Sequence, residues 1–323
     1  MGCGKFDLRK GSKSWGRDGK HNVDGRCILN EWGFSDGIDN SGKHDGHRAY
    51  KNGIICPYYA YLEEQGVVET HVNDFDKRLW PNYENTDPTP LPDEAYADNW
   101  IAQNGLGLIR NIPKGRPWFL QVNFNGPHEP MDVTQNMKNR WKGIDFPQPN
   151  GNTELSPEKH IEIRRNYAAM IENIDTWLGV YVEELEKQNE LENTLIVYSA
   201  DHGEMLGDRN MWEKSVPYQP AVGVPLIVGG PGVRKNWECK APATIMDLAA
   251  TFLEFGDLSI PKNMDSRSMK PLLEGNIDRL RDYVYSGYGP WRMVFDGGYK
   301  YFRGFSPHMK KLPYYFVLMG KMP

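Results

Sequence analysis

The stretch Tyr198-Ser-Ala-Asp201-His202-Gly203-Glu204-Met-Leu-Gly-Asp208, with Trp212-Glu-Lys214 close behind, decides how this chain is read. An apolar run, Leu195 to Val197, leads straight into Asp-His-Gly. A short buried strand that stops on ligand-type side chains is how open α/β sheets build sites, at the carboxyl ends of their strands. An isolated Asp-His-Gly more often caps the backbone of a turn. The acidic, glycine and lysine residues packed behind this one give it more weight.

Working outward, three zones emerge. From about 100 to 275 the pattern is α/β. Ala95 to Arg110 reads as a helix, and Trp118 to Phe124 as a strand that breaks at Gly126-Pro127. Ser156-Pro157-Glu158 is a helix start, with serine at the N-cap and proline in the first turn, where its missing N–H costs nothing. Ile163, Tyr167, Ile171, Ile174, Leu178, Tyr181 and Leu185 then recur at spacings of three and four, the mark of a long amphipathic helix packed on a sheet. Thr194 to Ser199 and Pro225 to Val228 are further strands, and Ala243 to Phe255 a second amphipathic helix. This order favours a mixed, mostly parallel sheet flanked by helices. Residues 1 to about 100 are polar, with many Gly, Asn and Asp residues and one helix-like piece, Pro57 to Gln65. They read as loop-rich decoration that would not make a core. From about 276, Asp282 to Tyr285, Trp291 to Phe295 and Tyr299 to Phe302, with an Asp296-Gly-Gly turn, begin a small antiparallel subdomain. The expected division is therefore 1–275 and 276–323.

Bulk properties set the limits. A length of 323 residues suits one large α/β domain, or a large domain with a small one. Aromatic residues make up 12%, too rich for a disordered chain. A net charge of −5 gives no general attraction to nucleic acid or an anionic membrane, so an anionic substrate needs local positive charge. No run approaches the ~20 apolar residues of a membrane span, and the first ten residues show no apolar leader segment. Cys3, Cys27, Cys56 and Cys239 lack the spacing of a finger or disulfide framework and read as free thiols.

Several segments, in order, resemble the sulfatase family of the alkaline-phosphatase superfamily. Gly4-Lys5-Phe-Asp7-Leu is similar to its Gly-Lys-Trp-His-Leu segment. Phe119 to Pro130, ending Asn125-Gly-Pro-His128-Glu-Pro, resembles the strand and loop that carry its active-site histidine. Asp201 to Lys214 resembles the metal- and sulfate-binding segment, and Val224 to Val233 its usual sequel. Asp247 to Leu253 and Met264 to Leu273 are similar to the helix and loop that close the large domain. The resemblance implies an alkaline-phosphatase-like α/β fold and hydrolysis of sulfate monoesters, through a formylglycine nucleophile and a divalent metal, calcium above all.

The residue types fit that chemistry. A sulfate ester carries negative charge on its non-bridging oxygens, so its site must supply cations. Asp201 would hold a hard, oxygen-seeking divalent ion, and His202 would join it, as the resemblance implies. Neighbouring strand residues point to opposite faces, so both can face one ion only where the chain leaves the strand, which Gly203 permits. Lys214 would bind the ester oxygens as a compact ammonium, with Lys5 as a second, catalytic cation. His128, just past a strand's carboxyl end, could give a proton to the departing alcohol, since imidazole as a residue type changes charge near neutral pH. Read on its own, His128 fits that role and a capping role equally. His128, Asp201 and Lys214 are expected to share one edge of the sheet.

The chain also departs from the family. The nucleophile arises from Cys-x-Pro-x-Arg or Ser-x-Pro-x-Arg, and no cysteine or serine here meets either pattern. Position 7 is Asp where many relatives have His, with Arg9 two residues on, and Arg209 stands where histidine is frequent. The chain is expected to begin after the first βαβ portion of the fold and to stop early, in Leu312 to Pro323. Three readings stay open: a sulfatase fragment inactive by itself, a non-catalytic remnant binding a metal or anion, and a hydrolase of phosphonates or phosphate diesters. The expected partner is a small-molecule or carbohydrate sulfate ester. Relatives are often exported, which makes a periplasmic or secreted location the default.

Overall fold

The computed structural model describes residues 1–6, 15–19, 28–79 and 84–305. Asp7, Arg9, Cys27 and the closing stretch Leu312 to Pro323 lie outside them. The chain divides into two compact units: residues 1–148 with 155–188, and residues 149–154 with 189–323.

The first unit contains β1 (Gly2–Lys5), α1 (Ile28–Glu31), β2 (Gly37–Asn40), α2 (Lys43–Lys51), α3 (Pro57–Glu64), α4 (Val68–Asp76), α5 (Ala97–Arg110), β3 (Gln121–Asn123), α6 (Gln135–Arg140) and α7 (Pro157–Lys187). Its sheet has the order β2-β1-β3 and is parallel throughout. Lys5 stands opposite Asn40, and Gly4 opposite both Asp39 and Asn123. All three carboxyl ends therefore lie on one edge. Gly4 has φ +100°, and a Cβ there would come within 2.0 Å of Asn123 O, so only glycine fits the middle strand at this point.

The first hundred residues do make a core, contrary to their polar composition. Cys3, Cys56, Tyr58, Tyr59, Leu62 and Val72 pack with Leu91, Trp100 and Ile101. The reason is physical. These elements bury aromatic rings and small residues, and such rings bring large contact areas without aliphatic runs. In α2, for example, the buried residues are Gly46, His47 and Ala49.

In α7 the predicted start holds: the Ser156 hydroxyl accepts from Lys159 N, and Pro157 opens the helix. Its buried stripe is rotated from the apolar set. Ile163, Ile174, Tyr181 and Leu185 are buried, Ile171 is exposed, and Asn166 and Asn173 are buried instead. Asn166 Nδ2 donates to Met131 O at 2.7 Å, and Asn173 Nδ2 to Asn99 Oδ1 at 2.8 Å. The helix therefore covers loop backbone as well as hydrocarbon. Where α7 meets α5, Tyr181 donates to Ala102 O at 2.9 Å.

The second unit contains β4 (Ile196–Ser199), α8 (Gln219–Val222), β5 (Leu226–Gly229), α9 (Asp247–Phe255), α10 (Lys270–Leu273), β6 (Val284–Tyr288), β7 (Trp291–Phe295) and β8 (Lys300–Arg303). β4 and β5 pair antiparallel, and β6-β7-β8 form an antiparallel meander. The Asp296 turn is as expected: its carboxylate accepts from Gly298 N and Tyr299 N, closing the β7–β8 hairpin. Trp291, Met293 and Phe295 pack with Val222, Val284 and Tyr288. Buried Asp247 receives a two-pronged contact from Arg281 and a bond from Arg267 N at 2.8 Å, which ties α9 to the chain beyond it. Cys3, Cys56 and Cys239 are free thiols. Among the described residues, no helix is long and apolar enough to cross a membrane.

Candidate functional site

In the first unit, β3 ends at Asn123 and the chain turns through two cis prolyl bonds, Gly126–Pro127 and Glu129–Pro130, which flank His128. This loop is held by its main chain. The buried Asp98 carboxylate, in the first turn of α5, accepts from Asn125 N at 2.7 Å and from Gly126 N at 3.0 Å. From the other side, Lys43 Nζ donates to His128 O at 2.9 Å, to Pro130 O at 3.1 Å and to Asp132 Oδ1 at 2.7 Å. Tyr96 adds a bond to Asp132 O at 3.1 Å.

Burial raises the Asp98 carboxyl above its usual range, opposed by Lys43 and the two backbone N–H groups. Burial pushes Asp132 the same way, yet there the Lys43 ammonium prevails and its carboxyl stays below the usual range. Lys43 and Asp132 thus form a buried ion pair, with side chains 4% and 10% exposed.

The His128 side chain is one-quarter exposed. Its Nδ1 lies 2.9 Å from Glu129 O and 2.8 Å from Glu129 Oε2. His44, in the first turn of α2, stands beside it, with ring centroids 6.1 Å apart. Lys5 closes β1 on the same carboxyl edge. Its stem runs over Gly42, where a Cβ would meet Lys5 Cε at 2.9 Å. The structure thus brings Lys5 and His128 to one sheet edge. Lys43, His44, Asp98, Glu129 and Asp132 were missed from sequence. Lys43 and His44 sit in a Gly/Asn/Asp-rich stretch that reads as loop, and Asp98 is far from His128 in the chain.

In the second unit, β4 ends at Ser199, so the chain has left the strand before Asp201, as two neighbouring ligands of one ion would require. Asp201 Oδ1 accepts from His202 N at 2.9 Å, and Asp201 Oδ2 is 3.4 Å from His202 Nε2. His202 Nδ1 donates to Gly203 O at 2.8 Å. A Cβ on Gly203 would lie 1.9 Å from Pro220 O, so this glycine permits a close backbone approach.

Beyond it, Glu204 Oε1 accepts from Leu206 N at 3.1 Å and Glu213 N at 2.6 Å, folding the loop back on itself. Leu206, Arg209, Asn210, Glu213 and Ser215 all have positive φ. Such conformations persist only where the surroundings over-determine them. Here the surroundings are Asn150, which donates through N to Asp208 Oδ1, and the meander. From the meander, Trp291 Nε1 donates to Ser215 O at 2.9 Å and Lys300 Nζ to Pro217 O at 2.6 Å. Burial brings the Lys300 ammonium down to about 8. Half-buried Lys214 sits between Glu213 and Ser215 on this braced loop. Asp201 and His202 bring one carboxylate and one imidazole. A calcium ion wants six or more oxygens, and among the described residues no third His, Cys, Asp or Glu joins this pair as a ligand set. The pair alone does not fit calcium.

The Sulfatase family model matches residues 18–258, and the chain belongs to that family. It is similar to an arylsulfatase of Clostridium perfringens, 27% identical over 236 residues, covering 66% of this chain and 47% of that protein. It is also similar to an N-acetylglucosamine-6-O-sulfatase of Bacteroides thetaiotaomicron, 31% identical over 131 residues, or 40% of this chain and 24% of the relative. A phosphonate monoester hydrolase from Silicibacter pomeroyi superposes with a TM-score of 0.62 at 21% identity, covering 77% of this chain and 60% of that one. That likeness bears on the fold, an alkaline-phosphatase-like α/β architecture. The chain spans about half the length of the Clostridium relative.

Proposed function

We propose that this chain is part of a hydrolase of sulfate monoesters, acting on a small-molecule or carbohydrate ester. His128 protonates the departing alcohol, Lys5 assists on the same sheet edge, and Lys214 binds the sulfate oxygens. The observation that carries this reading is the backbone-anchored loop that presents His128 at the carboxyl edge of a parallel sheet, within a chain of the sulfatase family. A positioned general acid contributes about 10²- to 10⁴-fold in rate. Calcium serves the complete enzyme in this reading, with Asp201 and His202 as two of its ligands and the rest from outside the pair. A bound cation would draw charge from the ester oxygens.

No Cys-x-Pro-x-Arg or Ser-x-Pro-x-Arg occurs in the 323 residues, so residues 1–323 alone lack a formylglycine nucleophile and should not turn over an ester. The test compares 1–323 with a longer chain carrying such a motif upstream. Both are coexpressed with the formylglycine-generating enzyme and assayed on an aryl sulfate and an aryl phosphonate. Sulfate turnover confined to the longer chain, reduced about 10²- to 10⁴-fold by His128→Ala, is the expected result. Turnover by 1–323 that vanishes on His128→Ala, or a longer chain that cleaves only the phosphonate, would overturn it. Export to the periplasm or the medium accompanies this reading, and cell fractionation checks it.

A further inference from the structure

His44, His128 and Glu129 each offer a ligand atom, and these atoms all lie within 4.8 Å of one another. We propose that these three side chains form a binding site for a borderline divalent transition metal, zinc above all.

The donor set comes first. Two imidazoles and one carboxylate are the ligands of open zinc sites and suit zinc far better than calcium or magnesium, which take oxygen. Geometry comes second. Bonds of about 2.0–2.1 Å in a tetrahedral site separate neighbouring ligand atoms by roughly 3.3 Å. Here His44 Nε2 is 3.6 Å from Glu129 Oε1, and His128 Nδ1 is 2.8 Å from Glu129 Oε2. These contacts reach the two different oxygens of the Glu129 carboxylate, and one ligand atom from each residue lies within 4.8 Å of the other two.

A third observation is independent of the spacing. His44 Nε2 is shut off from solvent and makes no hydrogen bond in the described structure, the condition of a polar atom whose partner is an ion or water. The backbone around the site is already fixed: His44 lies on α2, and the His128–Glu129 segment is pinned by Lys43 and Asp98. The nearby Lys43 charge is turned away into Asp132. The side chains of His44, His128 and Glu129 remain 28%, 25% and 13% exposed, which leaves an entry path and a fourth position for water.

Binding needs only these three side chains. Its consequence for turnover rests on the reading of His128 as proton donor: metal and proton then compete for one imidazole, and zinc inhibits the longer, active chain.

The test uses purified 1–323 with zinc chloride in calorimetry, and cobalt(II) as a coloured substitute. One-to-one zinc binding is expected, weakened at least tenfold by His44→Ala and by Glu129→Gln, with intense visible cobalt bands typical of four-coordination. Calcium chloride should not compete. Circular dichroism and a melting curve confirm that each variant is folded, and His44→Gln serves if the alanine variant is not. Absence of zinc binding by the folded wild type would overturn the site. So would affinity unchanged in both folded variants, or a thiolate-to-cobalt band that disappears in Cys239→Ser. Zinc binding without inhibition of the longer chain would leave the site standing and remove His128 from catalysis.

Discussion

At the scale of single residues, the motif runs are legible in the sequence and the contacts that support them are not. Asp201, His202, Lys214 and His128 sit in runs that resemble the family's motif segments, and such runs are written locally in the chain. Lys43 and Asp132 are not marked. Their pairing spans 89 residues, and each reads as a solvated surface charge until the fold buries it. That burial makes a prediction. Lys43→Met leaves the Asp132 carboxylate without its main countercharge, and removing one partner of a buried pair costs about 3–5 kcal/mol. Urea unfolding should show that loss, and Lys43→Met with Asp132→Leu should recover much of it. A single-variant loss below about 1 kcal/mol would mean that the pair is solvated, as exposed pairs are.

At the scale of elements, α7 shows where a pattern suffices and where it stops. Its start was legible because serine and proline act on the first turn alone, and Ser156→Ala should lower stability by about 1 kcal/mol in thermal unfolding. Its buried face was misjudged at Ile171, since the helix also shields the Met131 and Thr86 carbonyls, and Asn166 does that work better than an aliphatic chain. The loop from Asp201 to Ser215 was legible as a motif and illegible as a shape. Five of its non-glycine residues have positive φ, a cost that no local signal reveals, and the bracing comes from Trp291 and Lys300, far along the chain. Gly203→Ala should distort this loop through its clash with Pro220 O. Faster proteolysis within residues 203–215, with the Trp291 core intact by fluorescence, would be the signature. Unchanged cleavage would show that the loop can shift to admit the methyl group.

At the scale of the whole molecule, the α/β class and the antiparallel meander were foreseen, whereas the parallel sheet draws β1 and β2 from the stretch read as loop, and β4 and β5 pair antiparallel. The core of the first hundred residues was not foreseen, because it is built of dispersed rings. One of those rings gives the protein a pH dependence. His71 is 7% exposed and packs against Tyr58, Tyr59 and Phe75. Burial lowers it from 6.5 to about 4, against the pull of Asp132 and Asp74. The folded state therefore resists a proton that the unfolded chain accepts, so stability is full above pH 6.5 and falls as the pH drops toward 4. Between those limits the loss is roughly 3 kcal/mol. Urea midpoints at pH 7.5 and 4.5 should differ accordingly in the wild type and much less in His71→Leu; equal slopes would assign the acid sensitivity elsewhere. Calorimetry of 1–323 with calcium chloride should give weak heats or none, since Asp201 and His202 make an incomplete shell for it. Tight one-to-one binding would require ligands beyond this pair.

Apart from the Lys43–Asp132 ion pair, the anchors of the His128 loop grip main-chain atoms: Asn125 N, Gly126 N, and the carbonyls of His128, Pro130 and Met131. A clamp that holds carbonyls and amides is indifferent to what the clamped residues carry. Evolution or a designer can therefore exchange the side chains around the imidazole without moving the imidazole itself.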